Sequence, residues 1–166
     1  KIQFQNIHYL PKFGGGPVTY MTSAGQELSH RGHDVSIVCR QAEPHLPVSE
    51  RLPWGATVLR HSDPQIRGGQ WVIEPLLMGR HLRRVVPQLM NGTDVVIARN
   101  PLYAFATATA RPEVPMIYVM PSLASREVAT NAFGSGVKAR AYRRLKVWQY
   151  HALERIAVRR ARWVVT

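Results

Sequence analysis

The sequence predicts an α/β domain in which a parallel sheet carries helices on both faces. Three observations carry that reading. Short apolar runs of strand type alternate with longer segments of helical spacing along nearly the whole chain. The junctions between them are punctuated by Gly and Pro, as in "RGHD" and "RNP". With 166 residues, 45% hydrophobic and 19% charged, the chain has the length and composition of one folded domain with its own core. Strand–helix alternation requires right-handed crossovers, so the predicted domain, residues 1–166, is Rossmann-like.

The elements follow in order. "IQFQNI" is the first strand, with Ile2 and Phe4 on one face and an unusually polar pair, Gln3 and Gln5, on the other. A helix runs from Pro17, a favoured first-turn residue, to His30; Val18, Met21, Gly25 and Leu28 share a face, and Gly25 would let that face lie close to a sheet. Gly32 stops it, "DVSIVC" is the second strand, and "ATVLRH" the third after a Pro-rich connection over 44–53. "WVIEPLLMGRHLRRVVPQLMNG" has helical spacing, with Pro75 and Pro87 at its ends or at a kink. "TDVVIARNP" is a strand and turn, "LYAFATATA" a short helix and "VPMIYVMP" another strand. A basic helix over 137–162 and the start of a strand, "WVVT", complete the chain.

Composition narrows the function classes. The one cysteine, Cys39, cannot form an internal disulfide, which fits a reducing compartment. No apolar run approaches the roughly 20 residues that span a bilayer, and the start lacks a signal-peptide layout, so the expectation is a cytoplasmic protein. The formal charge of +12 is uneven: residues 138–166 hold nine Lys or Arg against one acid, Glu154. Such a face suits anionic lipid, a phosphorylated substrate or nucleic acid. Nucleic acid ranks last, because no recognition motif and no groove of interleaved aromatics is present.

Open α/β sheets bind ligands at the carboxyl ends of their strands. Four tips qualify: "HYLPKFGGG", "RHSDP", "ARNP" with Arg99 and Asn100, and "VMPS" with Met120 and Ser122. The glycines do not make a dinucleotide fingerprint, which needs G-x-G-x-x-G, and the second strand ends without an acid, so a nicotinamide enzyme is disfavoured. His33 belongs to a turn, where it would cap and pack; His45, His61 and His81 are scattered, His151 lies on the basic helix, and nothing has zinc-ligand spacing.

The stretch "GGGPVTYMTSAGQELSHRGHDVSIVCR" resembles the N-terminal signature of the family 4 glycosyltransferases of GT-B fold, and "HALERIAVRRARWVVT" is similar to the helix preceding the last strand of that domain. The resemblance implies the acceptor-binding half of a retaining, nucleotide-sugar-dependent enzyme of surface polysaccharide or glycolipid synthesis. It implies a donor-binding C-terminal domain supplied in cis or in trans, a UDP- or GDP-sugar as substrate, a sugar or lipid-linked acceptor, and neither cofactor nor metal. The isolated chain would be inactive, and Glu27, Glu127 and Glu154 would not replace the donor-site acids. Gly14, Gly15 and Gly16 would approach the donor diphosphate, the alternative being a tight turn only. His8, Arg99, Asn100, Met120, Ser122 and Arg126 are the acceptor or cleft candidates. Where the family carries a histidine at the fifth strand tip, this chain has Met120 and Pro121, so His8 is the candidate substitute.

At 100° per residue, Tyr142, Leu145, Ala152, Leu153 and Ile156 share one side of the last helix. Arg140, Arg144, His151, Arg155 and Arg162 gather opposite them, either as a solvated face or as a contact for anionic membrane or a phosphorylated carrier. A competing reading makes the whole chain a non-catalytic basic module that recruits an anionic membrane or partner.

Overall fold

The computed structural model describes residues 1–11, 15–66, 68–120, 124–130 and 136–166. In chain order these form β1 (Ile2–Gln5), α1 (Gly16–His30), β2 (Val35–Arg40), β3 (Ser49–Arg51), β4 (Thr57–His61), α2 (Glu74–Val85), β5 (Val95–Ala98), α3 (Pro101–Ala110), β6 (Met116–Val119), α4 (Ala124–Thr130), α5 (Val137–Arg160) and β7 (Trp163–Val165). The strands make one sheet of order β3-β4-β2-β1-β5-β6-β7, parallel except for the β3–β4 pair. The sheet is therefore Rossmann-like, as the alternation predicts. Its order reverses between β1 and β5: α1 carries the chain one way, α2 carries it back across, and α3 and α5 continue outward.

Each face of the sheet has its own core. Val18 and Met21 of α1 pack with Phe4, Val35, Ile37 and Val58, while Leu82, Leu102, Ala106 and Leu153 from α2, α3 and α5 pack with Val38, Val96, Met116 and Tyr118. The polar pair of β1 lies in this second core. Gln3 and Gln5 are both 0% exposed. Gln3 donates to the Leu89 carbonyl at 2.8 Å, Gln5 donates to Gln3 Oε1 at 2.9 Å, and the Thr107 hydroxyl donates to Gln5 Oε1 at 2.8 Å. The chain of bonds ties β1 to α3, which is why glutamine is tolerated where burial alone would demand an aliphatic side chain.

Several expectations are corrected. The Pro-rich connection contains β3, an edge strand too polar and too short to signal itself, and α4 was not foreseen. Gly25 makes room chiefly for the Trp54 ring: a Cβ there would sit 2.8 Å from Trp54 Cη2 and 3.7 Å from Val35. His33 is exposed and contributes only its backbone N–H, bonded to Leu28 O beside Gly32 at φ 85° in a Schellman stop. The helix predicted over 137–162 ends at Arg160, and the stripe it buries is Lys146, Gln149, Leu153, Glu154 and Ala157, which shares only Leu153 with the apolar set read by angle. Ile156 is 38% exposed. Polar positions turn inward because each finds a partner: Lys146 pairs with Glu74, Gln149 donates to Val72 O at 3.0 Å, and Glu154 accepts from Ala124 N and Ser125 Oγ.

Candidate functional site

The strand order reverses between β1 and β5, where open α/β sheets form a crevice at their carboxyl edge, and the sequence places the glycines at the start of α1 and Arg99 at the tip of β5 beside that point. Gly15 immediately precedes α1 with φ 98° and ψ −179°, a conformation essentially confined to glycine. Among the described residues the helix start has no side-chain cap and no acid in its first turn, and a Cβ added at Gly15 or Gly16 would meet none of their atoms within 4 Å. An approachable backbone at the positive end of a 15-residue helix results. Gly14 lies outside the described residues.

Arg99 extends from the tip of β5, its backbone N–H bonded to Gln5 O at 3.0 Å. Its guanidinium lies over the Tyr20 ring at 4.6 Å and donates to Pro17 O at 3.3 Å, bracing the first turn of α1. Its Nε is buried without a hydrogen-bond partner, and burial lowers its pKa from the usual arginine value. Asn100, by contrast, has a structural role: its side chain accepts from Leu102 N at 3.0 Å and caps α3. Met120 sits at the tip of β6, packs against the core and donates its N–H to Val165 O at 2.8 Å. Arg126 is exposed on α4, and Ser122 lies outside the described residues.

Beside the crevice the ends of β1, β2 and β4 bring together a polar cluster that the sequence left scattered. Arg40 pairs with Asp63 at 3.1 Å, and half-buried His8 feels both. Burial, then Arg40, push the His8 pKa down, and Asp63 opposes them. The His61 and His81 rings are 5.8 Å apart. His61 Nδ1 lies 3.0 Å from Ser62 O and His81 Nε2 lies 2.8 Å from the same oxygen; a carbonyl only accepts, so both nitrogens carry hydrogen. Neutral His61 then accepts from the Tyr103 hydroxyl at Nε2, 2.5 Å away. Burial lowers the His61 pKa and raises that of Tyr103 well above its ordinary value, so both are held neutral. A histidine at the last position of a strand and an i-to-i+20 partner on the next helix leave no periodic trace, so composition gave no signal for the pairing.

The basic residues of α5 do not form a single patch. Arg140, Arg144, Arg155 and Arg162 are all exposed, but Arg140 and Arg155 are about 22 Å apart along the helix at helical rise, and Arg162 lies past the end of α5 with its guanidinium over Trp163. Arg144 lines a groove of about 530 Å³ with Arg143, Val147, Trp148, His151 and Ala129. Trp148 there is 62% exposed. Among the described residues no three His, Cys, Asp or Glu side chains cluster to hold a metal, and no helix is long and apolar enough to cross a membrane.

An α/β domain with a glycine-led helix beside the point where its strand order reverses is of Rossmann type. Residues 15–166 match the family model described as glycosyl transferase 4-like domain, and the chain belongs to that family. The match leaves β1 outside. Among solved structures, sucrose-phosphate synthase from Thermosynechococcus elongatus is similar at a TM-score of 0.56 and 14% identity, over 88% of this chain and 39% of that one. A second structure of the same enzyme aligns over 95% of this chain and 93% of that one at a TM-score of 0.48. The first likeness shows the shared architecture, and the chain spans about two fifths of that protein's length. No curated protein sequence matches this chain.

Proposed function

We propose that this domain is the acceptor-side half of a retaining, nucleotide-sugar-dependent glycosyltransferase, working against a donor-binding domain in cis or in trans. The observation that carries the reading is the uncapped, glycine-led start of α1 at the switch crevice, in a chain of glycosyltransferase family. The donor diphosphate, held mainly by the other domain, would meet the amides at Gly15 and Gly16. Their partial positive charge, fixed in place before reaction, favours the charge that grows as the nucleoside diphosphate leaves. Arg99 reaches across from β5 to hold the first turn of α1 through Pro17 O and adds a full positive charge beside that turn. In the retaining scheme the leaving phosphate takes the acceptor proton, so no side-chain base is required. The acceptor would lie along the tips of β1 and β6, past His8, Met120 and Arg126, and UDP- or GDP-sugar is the donor class.

The end of α5 nearest the crevice, with Arg140, Arg144 and exposed Trp148, suits a lipid-linked acceptor of surface polysaccharide or glycolipid synthesis, with the cytoplasmic face of the membrane as its working surface. The same groove favours the second reading, a non-catalytic module that recruits an anionic surface. The test is made on the complete two-domain enzyme. Gly15→Val should lower turnover by at least about tenfold, or 1.4 kcal/mol of barrier, in enzyme shown folded by circular dichroism. Wild-type turnover in the folded variant would leave the loop as a turn only. Co-sedimentation with anionic vesicles, wild type against Arg140→Gln/Arg144→Gln/Arg155→Gln, tests the membrane contact; equal sedimentation removes it.

A further inference from the structure

The opposite end of the sheet carries a second basic feature, unconnected with the crevice. Here α2, α3 and α5 all terminate, because each leads into the amino end of a strand. Between their last turns lies a basin of about 560 Å³, within the range of small-molecule sites. Arg83 lines it from α2, Arg159 and Arg160 from α5, and Ile156, Pro112 and Ala108 add apolar lining. Thr109 adds no donor, since its hydroxyl is spent on Phe105 O at 2.8 Å. No carboxylate lines the basin among the described residues. The nearest acid in sequence, Glu113, is paired with Arg111, and that pairing holds its carboxyl below the usual range.

Arginines at helix C-termini offset the macrodipole, and that purpose could account for one of them at each end. Part of the need is already met by backbone, since Val86 N, Arg111 N and Ala161 N bond back to Leu82 O, Thr107 O and Ala157 O. Three guanidiniums from two helices then border one concavity with no acid to neutralise them. Guanidinium forks match phosphate oxygens in pairs, and the apolar lining beside them fits a ring or hydrocarbon body.

We propose that this basin binds a phosphomonoester carried on an apolar or ring body, independently of the crevice at the other end of the sheet. Phenyl phosphate is the probe, titrated into the chain at low salt and followed by calorimetry and by amide shifts in NMR. Sub-millimolar binding is expected, with the amides of Thr109 and Ile156 moving and those of Gly15 and Gly16 still. Arg83→Gln/Arg159→Gln should weaken binding at least tenfold, and Arg99→Gln should leave it unchanged. Vesicles containing phosphatidic acid separate the sources: displacement of phenyl phosphate by them assigns the site to a lipid headgroup, and failure to displace it assigns a soluble ester. Both outcomes support the site. Absence of binding to wild type, or shifts confined to the crevice, would overturn it without touching the reading of the crevice.

Discussion

Gly15 offers the sharpest separation of conformational from steric demands. It lies at φ 98° and ψ −179°, where an L-residue is strained by roughly 1–3 kcal/mol, yet among the described residues a Cβ added there meets nothing within 4 Å. Gly15→Ala should therefore destabilise the domain through backbone strain alone. For 166 residues the unfolding entropy is about 0.35 kcal/mol per kelvin, so the loss amounts to about 3–9 °C in Tm. Gly16→Ala is the control: it has equal open space, a helical backbone and no positive φ, so it should leave Tm unchanged or raise it slightly. The assay is a thermal melt of both variants beside a urea titration. Equal melts for the two would refute the reasoning, since they would show that the backbone at Gly15 accepts a side chain freely.

Three further outcomes follow from buried groups. Thr107→Val removes the donor to Gln5 Oε1 inside the second core and should cost about 1–3 kcal/mol in urea unfolding; an unchanged midpoint would mean that the β1–α3 chain of hydrogen bonds is idle. His8 and His61 both have pKa values lowered by burial, so between those values and the unfolded pKa of about 6.5 the unfolded chain binds more protons. Stability should accordingly fall as pH drops from 7.5 to 5.5, and fall less in His61→Gln; equal slopes would refute it. Cys39 is buried with its pKa pushed up to about 11, and it should resist alkylation at pH 8 until denaturant is added.

The parts of this fold that were legible are those that repeat locally. Alternation of strand and helix gave the parallel sheet, and the expected strand ends put Gly15 just before α1 and Arg99 just after β5, where the structure has them. The role of Asn100 was also within reach, because Asn before a Pro at the first helical position is a capping signal, and the structure uses it so. What escaped depends on long-range pairing. Lys146 faces inward because Glu74 waits 72 residues earlier, and His61 meets Tyr103 across 42 residues. A helical wheel ranks side chains by polarity, so the side read as buried held Tyr142, Leu145, Ala152, Leu153 and Ile156 and left out Lys146, Gln149 and Glu154, which partners supplied by other elements draw inward.

The division of labour between two domains is the central claim, and calorimetric titration of the 166-residue chain with UDP- and GDP-sugars tests it most directly. With the donor held chiefly by the other domain, the heats should be those of dilution up to millimolar ligand, while the complete enzyme binds its donor in the micromolar range. Micromolar binding of either nucleotide-sugar by this chain alone would contradict the account.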